Sequence, residues 1–258
     1  MSYQIVFFDI DGTLVNEEKQ LPPDAVEAVR ELQNRGVEVV IATGRAPYFF
    51  APIAEKLGID SFVSLNGAYV VYKGQPIFQR EIPRASVEAL VGHAAKHNHS
   101  LVFEGHAAFY ANEASHPHVV EAVSSLKVDL PGQDPDFWRN EAIYQIFLHC
   151  EAGEEQVYDQ VVPDLRYIRW HPKAMDVIPH DRSKAQGIEA LLHHLNVRPE
   201  HAVAFGDGLN DKEMLTMVGL GIAMGNSHEE LKPFADHVTT HVDEGGIVNG
   251  LRYAGLLD

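Results

Sequence analysis

The chain is predicted to be an α/β protein, a parallel-sheet core interrupted by an inserted α+β domain. Short apolar runs alternate with amphipathic stretches up to about residue 67, the alternation breaks down between about 79 and 182, and it resumes from 184. A run of four to eight apolar residues reads as a strand buried on both faces, which helices on either side of a parallel sheet produce. The 258 residues suffice for one large α/β domain or for one carrying a smaller one.

Residues 4–9 (QIVFFD) supply the first strand. Pro22-Pro23-Asp24 then opens a helix with Ala25, Val26, Val29 and Leu32 on one face, and Gly36 ends it before the strand VEVVIAT. A second helix runs from about Ala46 to Leu57 and stops at Gly58, followed by the strand FVSL and a turn at Asn66-Gly67. In the irregular stretch, helices are expected near 84–98, 115–126 and 152–161, among strands SLVFE, AAFYA, IYQIFLHC, LRYIRW and AMDVI. The parallel rhythm returns with helix 184–195, strand HAVAF, helix 210–217, strand LGIAM, helix 227–234, strand HVTT and a last helix near 246–256. Residues 1–80 and 183–258 are therefore expected to form the core, and 81–182 a lid joined to it by short hinges.

Composition narrows the function. Lys+Arg 20 against Asp+Glu 37 gives −17, which disfavours attraction to nucleic acid or to anionic membranes. The same charge would repel an anionic substrate, so such a site must reverse the field locally with a metal, a lysine or a helix N-terminus. The N-terminal MSYQIVFFDIDG lacks the basic start and long apolar stretch of a signal peptide, and no apolar run reaches the length of a membrane span. Cys150 is the one cysteine, which rules out an intramolecular disulfide; it sits in an apolar strand as a core residue, and a reducing cytoplasm is the expected location.

Asp9-Ile10-Asp11-Gly12-Thr13 lies where the first strand ends, at the carboxyl edge where open parallel sheets bind ligands. Two neighbouring carboxylates drive each other's pKa values apart, so one stays ionised as nucleophile or ligand and the other acts as acid. Taken alone, the segment fits a helix cap or an Asx turn equally well. Its company is Thr43-Gly44-Arg45 after VEVVIA, Lys184 at the start of a helix, and Gly206-Asp207-Gly208-Leu209-Asn210-Asp211 after HAVAF. A hydroxyl, a backbone N–H and an ammonium are what a transferring phosphoryl group needs on its oxygens, while the acidic residues hold a metal.

In these four segments the chain resembles the haloacid dehalogenase superfamily of phosphohydrolases, with a Rossmann-like core. The insert between the second and third motifs, and Asn66-Gly67-Ala68 after the third strand, are similar to the Cof-type subfamily of sugar phosphatases. The resemblance implies that Asp9 attacks phosphorus and Asp11 serves as general acid and then base. It further implies Mg²⁺ held by Asp9, Asp207 and the main-chain carbonyl of Asp11, with Asn210 and Asp211 as supports or ligands. Lys184, Thr43 and the Gly44 N–H would bind phosphoryl oxygens. Arg45 and Asn66 are candidates for the substrate side, although a salt bridge or a turn accounts for them equally. The implied partner is a small phosphorylated metabolite; oligomeric state stays open. A hexose phosphomutase of the same superfamily, or a non-catalytic phosphometabolite-binding protein, are the alternatives.

The chain's 15 histidines, His93, His97, His99, His116 and His118 among them, form no zinc motif such as HExxH. His171 lies near the return to the core and is a weaker candidate for the substrate side. Phe7-Phe8 and Phe49-Phe50 read as core.

Overall fold

A computed structural model describes residues 3–158 and 161–258. In the first strand, β1 (Ile5–Phe8), all four side chains are buried, with Val6 and Phe8 entering one apolar cluster and Ile5 and Phe7 another. The period-2 alternation thus serves two packed faces. Helix α1 (Pro23–Asn34) starts on Pro23, whose missing N–H is harmless at the first helical position, and Val26, Val29 and Leu32 form its buried stripe. The chain continues through β2 (Glu38–Ala42), α2 (Pro47–Leu57) and β3 (Phe62–Ser64).

An antiparallel hairpin, β4 (Tyr69–Tyr72) and β5 (Gln75–Gln79), then extends the same sheet, where the sequence reading assigned no strands. Its two-residue turn is Lys73-Gly74, both at positive φ as a primed turn requires. Lysine is an uncommon residue there, so the usual Asn-Gly signal is missing.

The insert contains α3 (Arg84–His97), β6 (Ser100–Glu104), β7 (Phe109–Ala111), α4 (Pro117–Ser125), β8 (Gly132–Gln133), α5 (Phe137–Asn140), β9 (Gln145–His149), β10 (Leu165–His171) and β11 (Ala174–Pro179). Its six-stranded sheet has the order β10-β11-β9-β6-β7-β8, antiparallel except for β7 beside β8. The helix expected over 152–161 is instead a 3₁₀ turn, Glu154–Tyr158, entered from Gly153 at φ +97; the rest of that expectation includes residues 159 and 160, outside the described residues.

The core resumes with α6 (Lys184–Leu195), β12 (Ala202–Gly206), a 3₁₀ turn Leu209–Asp211, α7 (Lys212–Met217), β13 (Leu220–Ala223), β14 (His237–Val238) and α8 (Gly246–Tyr253). The helix expected over 227–234 does not form, and only Lys232–Phe234 makes a 3₁₀ turn. Pro233 explains this: it lacks an N–H and disfavours the helical region for the residue before it.

The core sheet has the order β14-β13-β12-β1-β2-β3-β4-β5 and is parallel from β14 to β3. One face packs on α1, α2 and α8, the other on α6 and α7. Each Phe, Leu or Ile so buried contributes roughly 1.5–3 kcal/mol. By contact, residues up to Arg45, Phe50–Gln79 and Ser183–Asp258 form one compact unit, and Ala46–Phe49 with Arg80–Arg182 another. Phe7, Phe8 and Phe50 fill the first unit's core, whereas Phe49 packs edge-on against Phe109 of the second. Among the described residues no helix is long and apolar enough to cross a membrane.

Candidate active site

The strand order reverses around β1: the chain passes from β1 to β2 on one side, and β12 returns on the other. Such a switch point opens a crevice at the carboxyl ends of the strands. Phe8 pairs with Phe205 and with Ile41, so the residues that follow these strands, Asp9, Asp207 and Thr43, converge there.

Asp9 is buried, and its N–H donates to Phe205 O at 3.0 Å. Gly12, at φ +73, turns the loop so closely past Asp207 that a Cβ would lie 2.1 Å from Asp207 Oδ2; only glycine accepts both demands. Thr13, fully buried, donates from Oγ1 to Asp207 Oδ1 at 3.0 Å.

Lys184, 1% exposed at the first position of α6, sends Nζ to Asp9 Oδ1 at 2.5 Å and to Asp211 Oδ1 at 2.7 Å. Asp211 Oδ2 accepts the N–H groups of Asp207 and Gly208, at 3.0 and 2.9 Å. Both Asp211 oxygens are therefore engaged in placing Lys184 and the Asp207 backbone. Asn210 reaches sideways, its Nδ2 donating to Asn66 Oδ1 at 3.2 Å. Asn66 is itself held at φ +52 with its N–H on Thr43 O, and Gly44 lies against its amide. Thr43 Oγ1, buried, accepts the Arg45 N–H.

Arg45 and Asp11 form a bidentate pair, which Lys19 completes at 2.6 Å from Asp11 Oδ1. The salt bridge that the sequence reading offered beside a substrate-side role for Arg45 is present. Lys19, Thr13 and Asn226, whose Nδ2 donates to Gly12 O at 2.7 Å, carried no role in the sequence reading. Asn226 lies 214 positions from its partner and has no local signal. Thr13 stands inside the first motif, and there the signal existed. His171 lies on β10 and accepts the Lys173 N–H through Nδ1.

The electrostatics divide the two carboxylates of the first motif, with Asp9 raised and Asp11 lowered. Burial, opposed by Lys184 and reinforced by Asp211, pushes Asp9 up; burial and then Asp9 do the same to Asp207. Burial alone would raise Asp11 too, but the hydrogen bond and charge of Arg45, with Lys19, hold it below its usual range. Burial alone would lower Lys184, and Asp211 with Asp9 outweighs it, so the ammonium stays charged.

Oxygens of Asp9, Asp207 and Asp211 all lie within 4.8 Å of one another, so this cluster could hold a metal ion. Carboxylate oxygens suit a hard cation such as Mg²⁺ or Ca²⁺, and three carboxylates, those of Asp9 and Asp211 buried and that of Asp207 partly so, facing one lysine leave negative charge for it to offset.

A parallel α/β sheet with acidic loops at its switch point and a buried lysine beside them is an arrangement suited to phosphoryl transfer. The chain belongs to the haloacid dehalogenase-like hydrolase family, whose model matches residues 6–251. It is 42% identical to YkrA of Bacillus subtilis over 100% of both chains. A crystal structure of a hypothetical protein from Geobacillus kaustophilus superposes with a TM-score of 0.93 and 48% identity, covering 99% of this chain and 100% of that one. The subclass IIB sugar phosphatase BT4131 superposes with a TM-score of 0.88 and 28% identity, covering 98% and 100%.

Proposed function

We propose that this haloacid dehalogenase-like phosphatase hydrolyses phosphomonoesters of small metabolites, sugar phosphates foremost, with Mg²⁺ and through a phosphorylated Asp9. The observation that carries the reading is the buried Lys184 ammonium shared between Asp9 and Asp211, with Asp207 alongside. Lys184 orients one Asp9 oxygen and supplies positive charge where the phosphoryl oxygens would gather. Sugar phosphates are put first because BT4131, a sugar phosphatase, matches 98% of the chain.

In the first step an Asp9 oxygen attacks phosphorus, the ester P–O bond breaks, and Asp11 gives its proton to the departing alcohol oxygen. In the second, Asp11, now a carboxylate, takes a proton from water as that water attacks phosphorus, and the bond to Asp9 breaks to release inorganic phosphate. Donation requires a protonated Asp11, and its two cations oppose that. Arg45 must therefore let go of Asp11, and an arriving phosphate, which guanidinium binds in the same bidentate way, gives it a place to go. Thr43 Oγ1 and the Gly44 N–H complete the phosphate cradle. Mg²⁺, held by Asp9, Asp207 and the Asp11 carbonyl with Asp211 as support, would supply positive charge that offsets the repulsion between carboxylate and phosphate.

Phosphate release from a panel of sugar, nucleotide and cofactor monoesters, with Mg²⁺ or EDTA, tests this in wild type and Asp9→Asn. Release that needs both Mg²⁺ and Asp9 is the expected result; ordinary turnover by Asp9→Asn would overturn it. Inorganic phosphate, rather than an isomerised ester, as product separates hydrolase from mutase.

A further inference from the structure

Lys19 stands in the left-handed region at φ +61, a conformation that costs a residue with a side chain free energy relative to glycine. The loop around it is built to hold it there. The Asn16 N–H donates to Gln20 O at 3.0 Å, and Asn16 Oδ1 accepts the Gln20 N–H at 3.0 Å. The Lys19 N–H donates to Asn16 O at 3.0 Å, and Asn16 Nδ2 ties the loop to Asp243 Oδ1 at 2.9 Å. Just upstream, the Gly12 N–H donates to Val15 O at 2.8 Å, which folds the chain back on the first motif. Lys19 Nζ is thereby brought to 2.6 Å from Asp11 Oδ1.

Stability does not account for this arrangement. Arg45 already engages both Asp11 oxygens, so the carboxylate has its cation without Lys19. The Lys19 and Asp11 side chains are 27% and 37% exposed, and an ion pair so open to water contributes little. The cost of a left-handed lysine is of similar size, and strain kept without a return in stability points to function. Arg45 and Lys19 also differ in what they leave free. The arginine fork takes Oδ1 and Oδ2 together, so neither oxygen is clear of a cation, whereas Lys19 takes Oδ1 alone.

We propose that Lys19 is a positioning residue for the acid–base work of Asp11. The inference deepens the phosphatase reading and rests on it. When Arg45 turns to the phosphate, Lys19 keeps its hydrogen bond to Oδ1, fixes the plane of the carboxyl group and leaves Oδ2 to handle the proton. An ammonium can donate to Oδ1 whether or not Oδ2 carries a proton. In the first step the Oδ2 proton passes to the departing alcohol oxygen as its bond to phosphorus breaks. In the second, Oδ2 takes a proton from the attacking water as the bond between Asp9 and phosphorus breaks. Lys19 gives up no proton in either. Without it, Asp11 rotates about its Cβ–Cγ bond, and a smaller fraction of molecules holds the acid in line.

The test reads kcat/KM of full-length wild type, K19M, K19G and K19R on a hexose 6-phosphate and on p-nitrophenyl phosphate. This constant covers the steps up to loss of the alcohol, and p-nitrophenolate departs without a proton, so only the sugar ester needs an aimed Asp11 there. K19M and K19G should lose about tenfold or more on the sugar ester and less than about threefold on the nitrophenyl ester. K19R keeps a cation for Oδ1 and should stay within a few-fold of wild type on both. K19G should melt at or above K19M, because both lack the ammonium and only K19G relieves the left-handed backbone; a lower melting point would remove the strain and overturn the proposal. Equal losses on the two esters, no loss on either, or K19R behaving as K19M overturn it as well. A crystal structure of wild type with inorganic phosphate gives a readout independent of turnover. Lys19 Nζ on Asp11 Oδ1 with Arg45 on the phosphate supports the proposal; Arg45 still on both Asp11 oxygens, or Lys19 away from them, ends it. Silence of wild type toward every ester would overturn the phosphatase reading instead, and the phosphate complex alone then decides this one.

Discussion

Arg45 grips Asp11 through two N–H bonds, Nε to Oδ2 and Nη2 to Oδ1, each 2.7 Å long. Asp11's pKa is lowered in the folded state, so the pair contributes stability above the unfolded carboxylate value of about 3.9, and this is lost as pH falls through the lower folded value. Arg45→Ala should move the Asp11 titration upward in a carbon-detected NMR experiment and flatten the acid limb of the stability curve. A midpoint that stays in place would show that Arg45 does not set it.

Removing Lys184 leaves Asp9 and Asp211 buried without their shared cation. Lys184→Ala should cost about 3–5 kcal/mol in urea unfolding, the range for breaking a buried ion pair. The loss should be larger at pH 8 than at pH 5. Without the lysine the folded pKa of Asp9, already raised by burial, rises further above its unfolded value, and stability then declines as pH rises between the two. A loss under about 1 kcal/mol at pH 8 would contradict the buried network.

Mg²⁺ binding to Asp9 and Asp207 should stabilise the native state. At a concentration 100 times its Kd the gain is about 2.7 kcal/mol, read as a rise in Tm over an EDTA control. Asp207→Asn should abolish the rise, while an equal rise in that variant would place the metal elsewhere.

Gly12→Ala and Gly36→Ala separate backbone strain from crowding. Both glycines lie at positive φ, +73 and +76, but a Cβ at Gly12 meets Asp207 whereas nothing lies within 4 Å at Gly36. Each should cost roughly 1–2 kcal/mol for the left-handed backbone. Gly12→Ala alone should also lose the Mg²⁺-dependent rise in Tm, because it displaces Asp207. Equal behaviour of the two variants would refute the contact.

Cys150 is fully buried, and burial raises its thiol pKa despite the neighbouring Arg169. Native protein should react with a disulfide reagent many times more slowly than urea-unfolded protein, since the thiolate is the reactive form. Rapid labelling without denaturant would mean that the insert opens locally.

The α/β class was legible because buried parallel strands read as apolar runs of fixed length: IVFF, EVVIA and AVAFG name their own places. So were most helices, from the stripe of Val26, Val29 and Leu32 in α1 to the long pattern of α6. The misses are local exceptions to the same rules. The hairpin of β4 and β5 turns on a lysine at positive φ, and Pro233 cancels a helix that composition favours. Asp9, Thr43, Lys184 and Asp207 were legible as candidates at strand ends and a helix start, because sheet geometry puts ligands there whatever the topology.

Sequence alone therefore determined the class of fold and nominated the candidate reactive groups, both of which depend on short-range pattern and on residue chemistry. Tertiary structure decided who holds whom. Lys184 meets Asp9 across 175 positions, Asp211 spends its oxygens on Lys184 and two backbone N–H groups, and Arg45 closes on Asp11. Such choices follow from strand order and from which partner satisfies a buried charge at least cost in free energy, and neither is written in the spacing of residues along the chain.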